Sequence, residues 1–176
     1  MIFRLSQKLN SKIKAGVLDA APLTSNPYAD WSAHIFSVDR TQYIILSNTK
    51  SLYSCVMFGK GITNDGAFIE RALNTIREFL EDDGQEFVYR RFIAPASGTS
   101  YFAKSLNRSV TGSINDLINH ATDWLSEEDL SLHDLGFRLN DIPLSSLATE
   151  KSGVYGKPNE AFKLLAGRRE PTGEGP

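Results

Sequence analysis

The stretch that decides the architecture reads N-R-S-V-T-G-S-I-N-D-L-I-N-H and runs from Asn107 to His120. A short β-type run, Leu106 to Val110, passes there through a Thr-Gly-Ser turn toward a helix. Apolar residues then recur at intervals of three and four, which predicts the helix over Ile114 to Leu125. Ser113 and Asp116 have a capping-box spacing that places a carboxylate at the positive helix end. The stretch predicts a strand-turn-helix unit and specifies no reaction.

Upstream of this unit, three apolar runs predict a meander. The predicted strands cover Ser32 to Val38, Gln42 to Ser47 and Ser51 to Phe58, and they are rich in Ile, Val, Phe and Tyr. Their connections are too short for a parallel crossover, so they require antiparallel hairpins. Ile2 to Leu5 and Phe87 to Ile93 are further predicted strands. Together with the run before the Thr-Gly-Ser turn, they predict an antiparallel sheet of about five or six strands.

Two main amphipathic helices are expected to cover one face of this sheet, which makes the fold class α+β. The first is capped by Thr63, Asn64 or Asp65 and ends before Gly84; the second is the helix after the Thr-Gly-Ser turn. Shorter helical pieces are predicted after Ser6 and toward the C-terminus, in the segments Leu130 to Leu147 and Glu160 to Ala166. Residues 1–166 are expected to form a single domain. The segment Gly167 to Pro176, rich in Gly, Pro and charge, is expected to be a disordered tail.

Composition argues against several classes of protein. The 176 residues carry 19 Lys and Arg against 21 Asp and Glu, a net charge of -2, so no global field favours nucleic acid or an acidic membrane. No run approaches the ~20 apolar residues of a membrane span, and the N-terminus lacks an apolar signal segment. The single Cys55 excludes an intramolecular disulfide and fits a reducing compartment. A cytoplasmic protein without membrane contact is therefore expected.

Four stretches together carry a likeness to a known group. They are M-I-F-R-L-S-Q-K-L at the start, D-W-S-A-H-I-F-S-V-D-R from Asp30, R-S-V-T-G-S-I-N-D from Arg108, and L-N-D-I-P from Leu139. The sequence resembles a family of uncharacterised bacterial proteins, a domain of unknown function, over most of positions 1–147. The resemblance implies a small bacterial α+β protein and transfers no site residues.

A local basic stretch provides the one candidate binding site. No Asp or Glu occurs between Glu86 and Asp116, whereas several cations do. The hypothesis is that an anion at the start of the second main helix meets side-chain cations and backbone N–H groups, supplied by Arg90, Arg91, Arg108, Thr111, Gly112 and Ser113. Strand alternation would allow only one of the first two arginines to join the third. The favoured alternative is structural, because Asp116 already complements the helix start.

The remaining candidates for chemistry are interpreted as structural. Asp116, His120 and Asp123 fall within two turns of one helix and are predicted to form a solvated polar face. Gly59-Lys60-Gly61 lacks the spacing of a phosphate-binding loop. The sequence therefore predicts no catalytic residue, metal ligand or cofactor. Trp31 and Tyr28 could form a recognition surface, although a Trp at the start of a strand is more typical of a core.

Two functional hypotheses remain. The favoured one is a non-catalytic binding or accessory domain, with a protein partner or a homodimer through a sheet edge. A deep pocket with two or more convergent titratable groups would argue against it. The alternative is an enzyme or binder for phosphorylated or nucleic-acid ligands that uses the basic stretch, although nucleic acid is not favoured.

Overall fold

The structure, a computed structural model, describes residues 1–148 and 153–167. Within these residues five strands form one sheet, and the helices are numbered α1 to α6. The strands are β1 (Ile2–Leu5), β2 (Asp30–Val38), β3 (Thr41–Asn48), β4 (Ser54–Phe58) and β5 (Tyr101–Ala103). Their order across the sheet is β4-β3-β2-β1-β5.

The predicted meander of β2, β3 and β4 is confirmed, and all its pairings are antiparallel. Val38 pairs with Thr41, so the first hairpin has a two-residue turn at Asp39 and Arg40. Both turn residues have positive φ, 47° and 67°, as a type I′ turn requires. This turn follows the right-handed twist of the flanking strands and fixes their register.

The prediction of a purely antiparallel sheet is wrong, because β1 runs parallel to both β2 and β5. The chain leaves β1, forms α1 (Gln7–Ile13) and returns through a long segment to begin β2. A parallel neighbour needs such a crossover, and a helix commonly provides it. The sheet is therefore mixed, with a β-α-β unit beside the meander.

Two predicted strands are helical instead. Residues 86–96 form a continuous helical segment: α3 (Glu86–Val88), a π-helical turn (Tyr89–Ile93) and a 3-10 turn (Ala94–Ala96). The predicted strand at 106–110 and the Thr-Gly-Ser turn fall at the start of α4 (Arg108–Glu127). The Asn107 side chain accepts a hydrogen bond from Val110 N at 2.9 Å and caps this helix six residues earlier than expected.

The expectation that both main helices cover one face of the sheet is also wrong. One face packs against α1, α2 (Asp65–Asp82) and α6 (Pro158–Lys163), and the other packs against α4 and α5 (Leu132–Leu139). Strand alternation separates the two cores, since Ile44 and Leu46 face the first group of helices and Ile45 faces the second. The two main helices, α2 and α4, lie on opposite sides. Besides these two main helices, the described residues contain four shorter ones, α1, α3, α5 and α6.

A buried ion pair and an amide side chain complete the sheet. The Arg4 guanidinium donates to both Asp30 oxygens at 2.8 Å and to the carbonyls of Ala21 and Pro22, so it holds the segment before β2. The Asn140 amide accepts from Ser54 N at 2.7 Å and donates to Ser54 O at 2.9 Å, which caps the edge of β4. No helix in residues 1–148 and 153–167 is long and apolar enough to cross a bilayer.

Three 3-10 turns complete the described chain: Pro27–Ala29, Ser145–Leu147 and Leu164–Gly167. The predicted helical pieces after residue 130 are confirmed as short helices and turns. Except for Gly167, the predicted tail lies outside the described residues.

Candidate functional site

Four of the predicted anion-binding residues, Arg108 and Thr111 to Ser113, lie in the first turns of α4. Arg108 is its first residue and is exposed. Thr111 N donates to Asn107 O at 3.2 Å, and the Thr111 hydroxyl donates to the same carbonyl at 3.1 Å. Gly112 follows within the helix, and the buried Ser113 hydroxyl lies 2.6 Å from Ser146 Oγ. The expected turn is thus a helical one, and anion binding here stays a prediction.

The other two predicted arginines have different surroundings. Arg90 forms an ion pair with Glu86, at 2.5 Å between Nη2 and Oε1, one helical turn away. Arg91 instead lies with its guanidinium carbon 5.9 Å from the centroid of the Phe92 ring. Among the described residues, no carboxylate lies within ion-pair distance of Arg91. Arg91 therefore keeps an uncompensated charge on an aromatic surface.

Arg91 faces a groove of about 400 Å³, which we call the Arg91 groove. The groove lies between the turn before β2, the π-helical turn and the last 3-10 turn. Its lining residues are Ser25, Asn26, Pro27, Tyr28, Arg91, Phe92, Leu165 and Ala166. This volume falls within the ~300–1,000 Å³ typical of small-molecule sites.

Asn26 joins the two longer walls of the Arg91 groove. Its Oδ1 accepts from Tyr28 N at 3.2 Å and so caps the 3-10 turn, while its Nδ2 donates to Phe92 O at 2.6 Å. Both functions of the amide are therefore used within the protein. The Tyr28 and Phe92 rings stack across the same junction, with centroids 4.9 Å apart and an interplanar angle of 27°. The amide and the two rings therefore fix the turn before β2 against the π-helical turn.

Tyr28 also anchors the groove to the core. Its hydroxyl donates to Phe162 O at 3.2 Å, and its carbonyl accepts from Trp31 Nε1 at 2.8 Å. Burial raises the pKa of Tyr28, so its phenol stays neutral at physiological pH. Trp31 is fully buried, which confirms its interpretation as a core anchor.

Arg91 and Phe92 reach the groove from the π-helical turn. A π-helical turn is wider than an α-helical one, and such turns are rare and frequent at functional sites. Within this turn, the carbonyl of Phe92 accepts a hydrogen bond from Asn26 Nδ2. Phe87 extends the aromatic surface beyond the groove, because it is 67% exposed and its ring centroid lies 6.3 Å from that of Phe92.

The predicted polar face of α4 is exposed, but two of its members line a second pocket. Asp116 and His120 contribute to a pocket of about 280 Å³, and Asp123 lies outside it. The polar side chains that line it are exposed, so it is a surface pocket rather than a deep cavity.

The remaining titratable groups have structural surroundings. Cys55 is buried in β4, and burial raises the pKa of its thiol. His133 pairs with Asp82 on the surface. Within the part of the chain that the structure describes, no three His, Cys, Asp or Glu side chains are grouped to hold a metal ion.

The sequence indicated Arg91 from its charge and Tyr28 as part of a possible recognition surface, but not the other lining residues of the groove. Four apolar residues, Val88, Tyr89, Phe92 and Ile93, pack against the core at the spacing i, i+1, i+4 and i+5. This spacing is helical and was the available signal against a strand. The contact from Asn26 to Phe92 spans 66 positions, and nothing local in the sequence indicates it.

Comparison with known proteins adds one finding. A family model described as a domain of unknown function (DUF6933) matches residues 2–161. No curated protein and no solved structure matches the chain. The matched region includes every lining residue of the Arg91 groove except Leu165 and Ala166.

Proposed function

We propose that this chain, which belongs to the DUF6933 family of domains of unknown function, is a non-catalytic binding domain whose ligand carries an anionic group on a flat apolar body. The ligand would occupy the Arg91 groove. The observation that carries the proposal is the Arg91 guanidinium, which lies against Phe92 beside the groove and has no carboxylate partner among the described residues.

The charge of Arg91 supports an anionic ligand. A guanidinium stays protonated at every physiological pH and presents a planar fork of donors that matches carboxylate and phosphate oxygens. The exposed Ser25 hydroxyl lines the same groove and could supply a further hydrogen bond. The groove contains no lining carboxylate within the described residues that would repel an anion.

The walls of the groove support a flat apolar body. Phe92 and Leu165 present half-buried aromatic and aliphatic surface, and the Tyr28 ring, which is itself buried, stacks on Phe92. Aromatic rings interact favourably with further rings in stacked or edge-to-face geometry. One cation and one hydroxyl beside such a surface can hold and orient a ligand, and they include no general base or activated nucleophile.

The hydrogen bonds of Asn26 and Tyr28 support binding without a large ordering cost. Both side chains are fixed by partners in other elements before a ligand arrives. Walls that are fixed in advance lose less conformational entropy on binding.

Three probe classes share this chemistry: aromatic carboxylates, nucleoside monophosphates, and peptides that end in an aromatic residue. We would titrate each by isothermal calorimetry at low and moderate salt. Arg91→Ala should weaken binding by about tenfold or more, because a charge-assisted bidentate contact contributes ~1.5–3 kcal/mol. Arg91→Lys should recover only part of the affinity, because it keeps the charge but loses the fork.

Arg90→Ala is the matched control, since Arg90 is adjacent and exposed but does not line the groove. Its affinity should equal that of the wild type. Equal losses from both alanine variants would indicate a diffuse electrostatic effect and contradict the proposal, as would a lack of binding to all three probe classes.

Bacterial origin, a cytoplasmic location and a single domain over residues 1–166 are also part of the proposal. A single cysteine, which cannot form an intramolecular disulfide, suits a reducing compartment. The two cores share one sheet, which supports one domain. A homodimer through a sheet edge is also part of the proposal, although Asp19 pairs with Ala103 at β5 and Asn140 caps β4.

A further inference from the structure

The second pocket lies on the outer surface of α4, away from the residues used in the proposed function. Asp116, Asn119 and His120 project from α4 at the spacing i, i+3 and i+4, which brings them to one side of the helix. Ser145 and Tyr155 line the pocket from the segments that follow α5. Its volume of about 280 Å³ is close to the lower end of the ~300–1,000 Å³ range of small-molecule sites.

Two contacts fix the wall opposite α4. Leu144 N donates to Gly156 O at 2.9 Å, which pairs the two segments as an isolated antiparallel bridge. The Ser113 and Ser146 hydroxyls lie 2.6 Å apart and tie α4 to the 3-10 turn. The pocket is therefore held by residues that are not part of its polar lining.

The five polar side chains that line the pocket are exposed and make no polar contact within the described residues. In residues 1–148 and 153–167, none of them forms a side-chain hydrogen bond or an ion pair: Asp116, Asn119, His120, Ser145 and Tyr155. The buried polar side chains of Ser113 and Asn140, in contrast, form hydrogen bonds within the protein. These five exposed groups are therefore free to form hydrogen bonds to a ligand that enters the pocket.

We propose that this pocket binds one ring of a neutral saccharide. The carboxylate of Asp116 accepts hydrogen bonds, and the other four side chains both donate and accept. Sugar hydroxyl groups also donate and accept, so they can satisfy this mixed set. Planar carboxylate and amide groups can each contact two adjacent hydroxyls.

The apolar part of the pocket suits the carbon face of a sugar ring. Tyr155 is 57% exposed, and Pro143 and Leu144 line the same pocket. An aromatic ring offers a flat apolar surface for the C–H groups of a pyranose. No Lys or Arg occurs among the described lining residues, and Asp116 would repel an anion. An ammonium ligand would only donate, so it would leave the pocket's own donors without acceptors.

The test uses the full chain and saturation-transfer NMR with glucose, galactose, mannose and N-acetylglucosamine. At least one sugar should bind, and Asp116→Ala and Tyr155→Ala should each weaken it by about tenfold, which is the loss of one or two good contacts. Asp123→Ala is the control, because Asp123 lies on the same helix, is exposed and does not line the pocket. Unchanged melting temperatures would show that the variants fold.

Arg91→Ala separates this proposal from the proposed function, because it should leave sugar binding unchanged. Lack of binding to all four sugars would overturn the saccharide assignment. Binding that survives both alanine substitutions would overturn the location, and preferential binding of methylamine, a cationic probe, would overturn the ligand class.

Discussion

Arg90 and Arg91 show how adjacent identical residues acquire different roles. The sequence assigns them equal weight, because both belong to one basic stretch. In the structure Arg90 is neutralised by Glu86, whereas Arg91 lies on Phe92 at the mouth of a groove. A surface ion pair one helical turn away contributes little stability, but it decides which arginine can meet a ligand.

His34 provides a prediction at the same scale. It is 6% exposed on β2, and its Nε2 has no hydrogen-bond partner among the described residues. Burial lowers the pKa of His34 from 6.5 to about 4. The unfolded chain therefore binds a proton below pH 6.5 that the folded chain resists down to about pH 4. Folding stability should fall as pH decreases through this window, by on the order of 3 kcal/mol from this group.

Urea unfolding at pH 7.5 and pH 4.5 would measure this effect. His34→Leu keeps the position apolar and removes the titrating group, so its stability should change less between the two pH values. An equal change in both proteins would show that His34 does not cause the acid sensitivity.

At the scale of elements, residues 107–113 and 86–96 show how caps and apolar spacing choose between strand, turn and helix. Asn107 uses its side chain to begin α4, which converts the expected turn into helix. In residues 86–96, four core contacts at helical spacing outweigh the β propensity of Phe, Val, Tyr and Ile. A local side-chain cap decides the first segment, and contacts with the core override local preference in the second.

Gly112→Ala tests the helical assignment of the Thr-Gly-Ser segment. Gly112 lies inside α4, and an added Cβ would meet no atom within 4 Å. The substitution should stabilise the protein by ~0.5–1 kcal/mol, because alanine loses less backbone entropy in a helix. A turn with positive φ would instead be destabilised by alanine.

Chemical denaturation would measure the difference. Gly136→Ala in α5 is the matched comparison, because its Cβ would lie 2.5 Å from Cε2 of Phe79. That variant should be destabilised by ~1–3 kcal/mol through overpacking. Loss of stability in Gly112→Ala would mean that the segment is not helical.

At the scale of the whole molecule, helices cover both faces of a mixed sheet, and the last described helix closes one of the two cores. Phe162 of α6 is fully buried, and its ring centroid lies 4.2 Å from Tyr53, 5.0 Å from Tyr28 and 6.3 Å from Trp31. It links β2, the segment before β4 and the wall of the Arg91 groove. The C-terminal helix is therefore part of the main core.

Phe162→Ala should cost ~3–5 kcal/mol of unfolding free energy, because it removes a ring from a filled core. It should also weaken ligand binding at the Arg91 groove, since Leu165 and Ala166 follow directly in the chain. Phe87→Ala is the control for stability, as Phe87 is 67% exposed. Urea unfolding of both variants would measure the difference, and similar losses would contradict the placement of Phe162.

The sequence by itself determined the elements that depend on local interactions. Short connections force the hairpins of Trp31 to Phe58, and the apolar stripe of α2 lies within a single helix. The resemblance to a domain of unknown function is likewise carried by local motifs and is confirmed over residues 2–161. These features need no knowledge of distant neighbours.

Only the tertiary structure decided the parallel pairing of β1, the opposite faces of α2 and α4, and the groove at Arg91. Each depends on contacts between residues far apart in the chain. The Arg4 side chain meets Asp30, Asn26 meets Phe92, and Tyr28 meets Phe162. Such contacts form only when the sheet has brought the segments together, and local propensity carries no record of them.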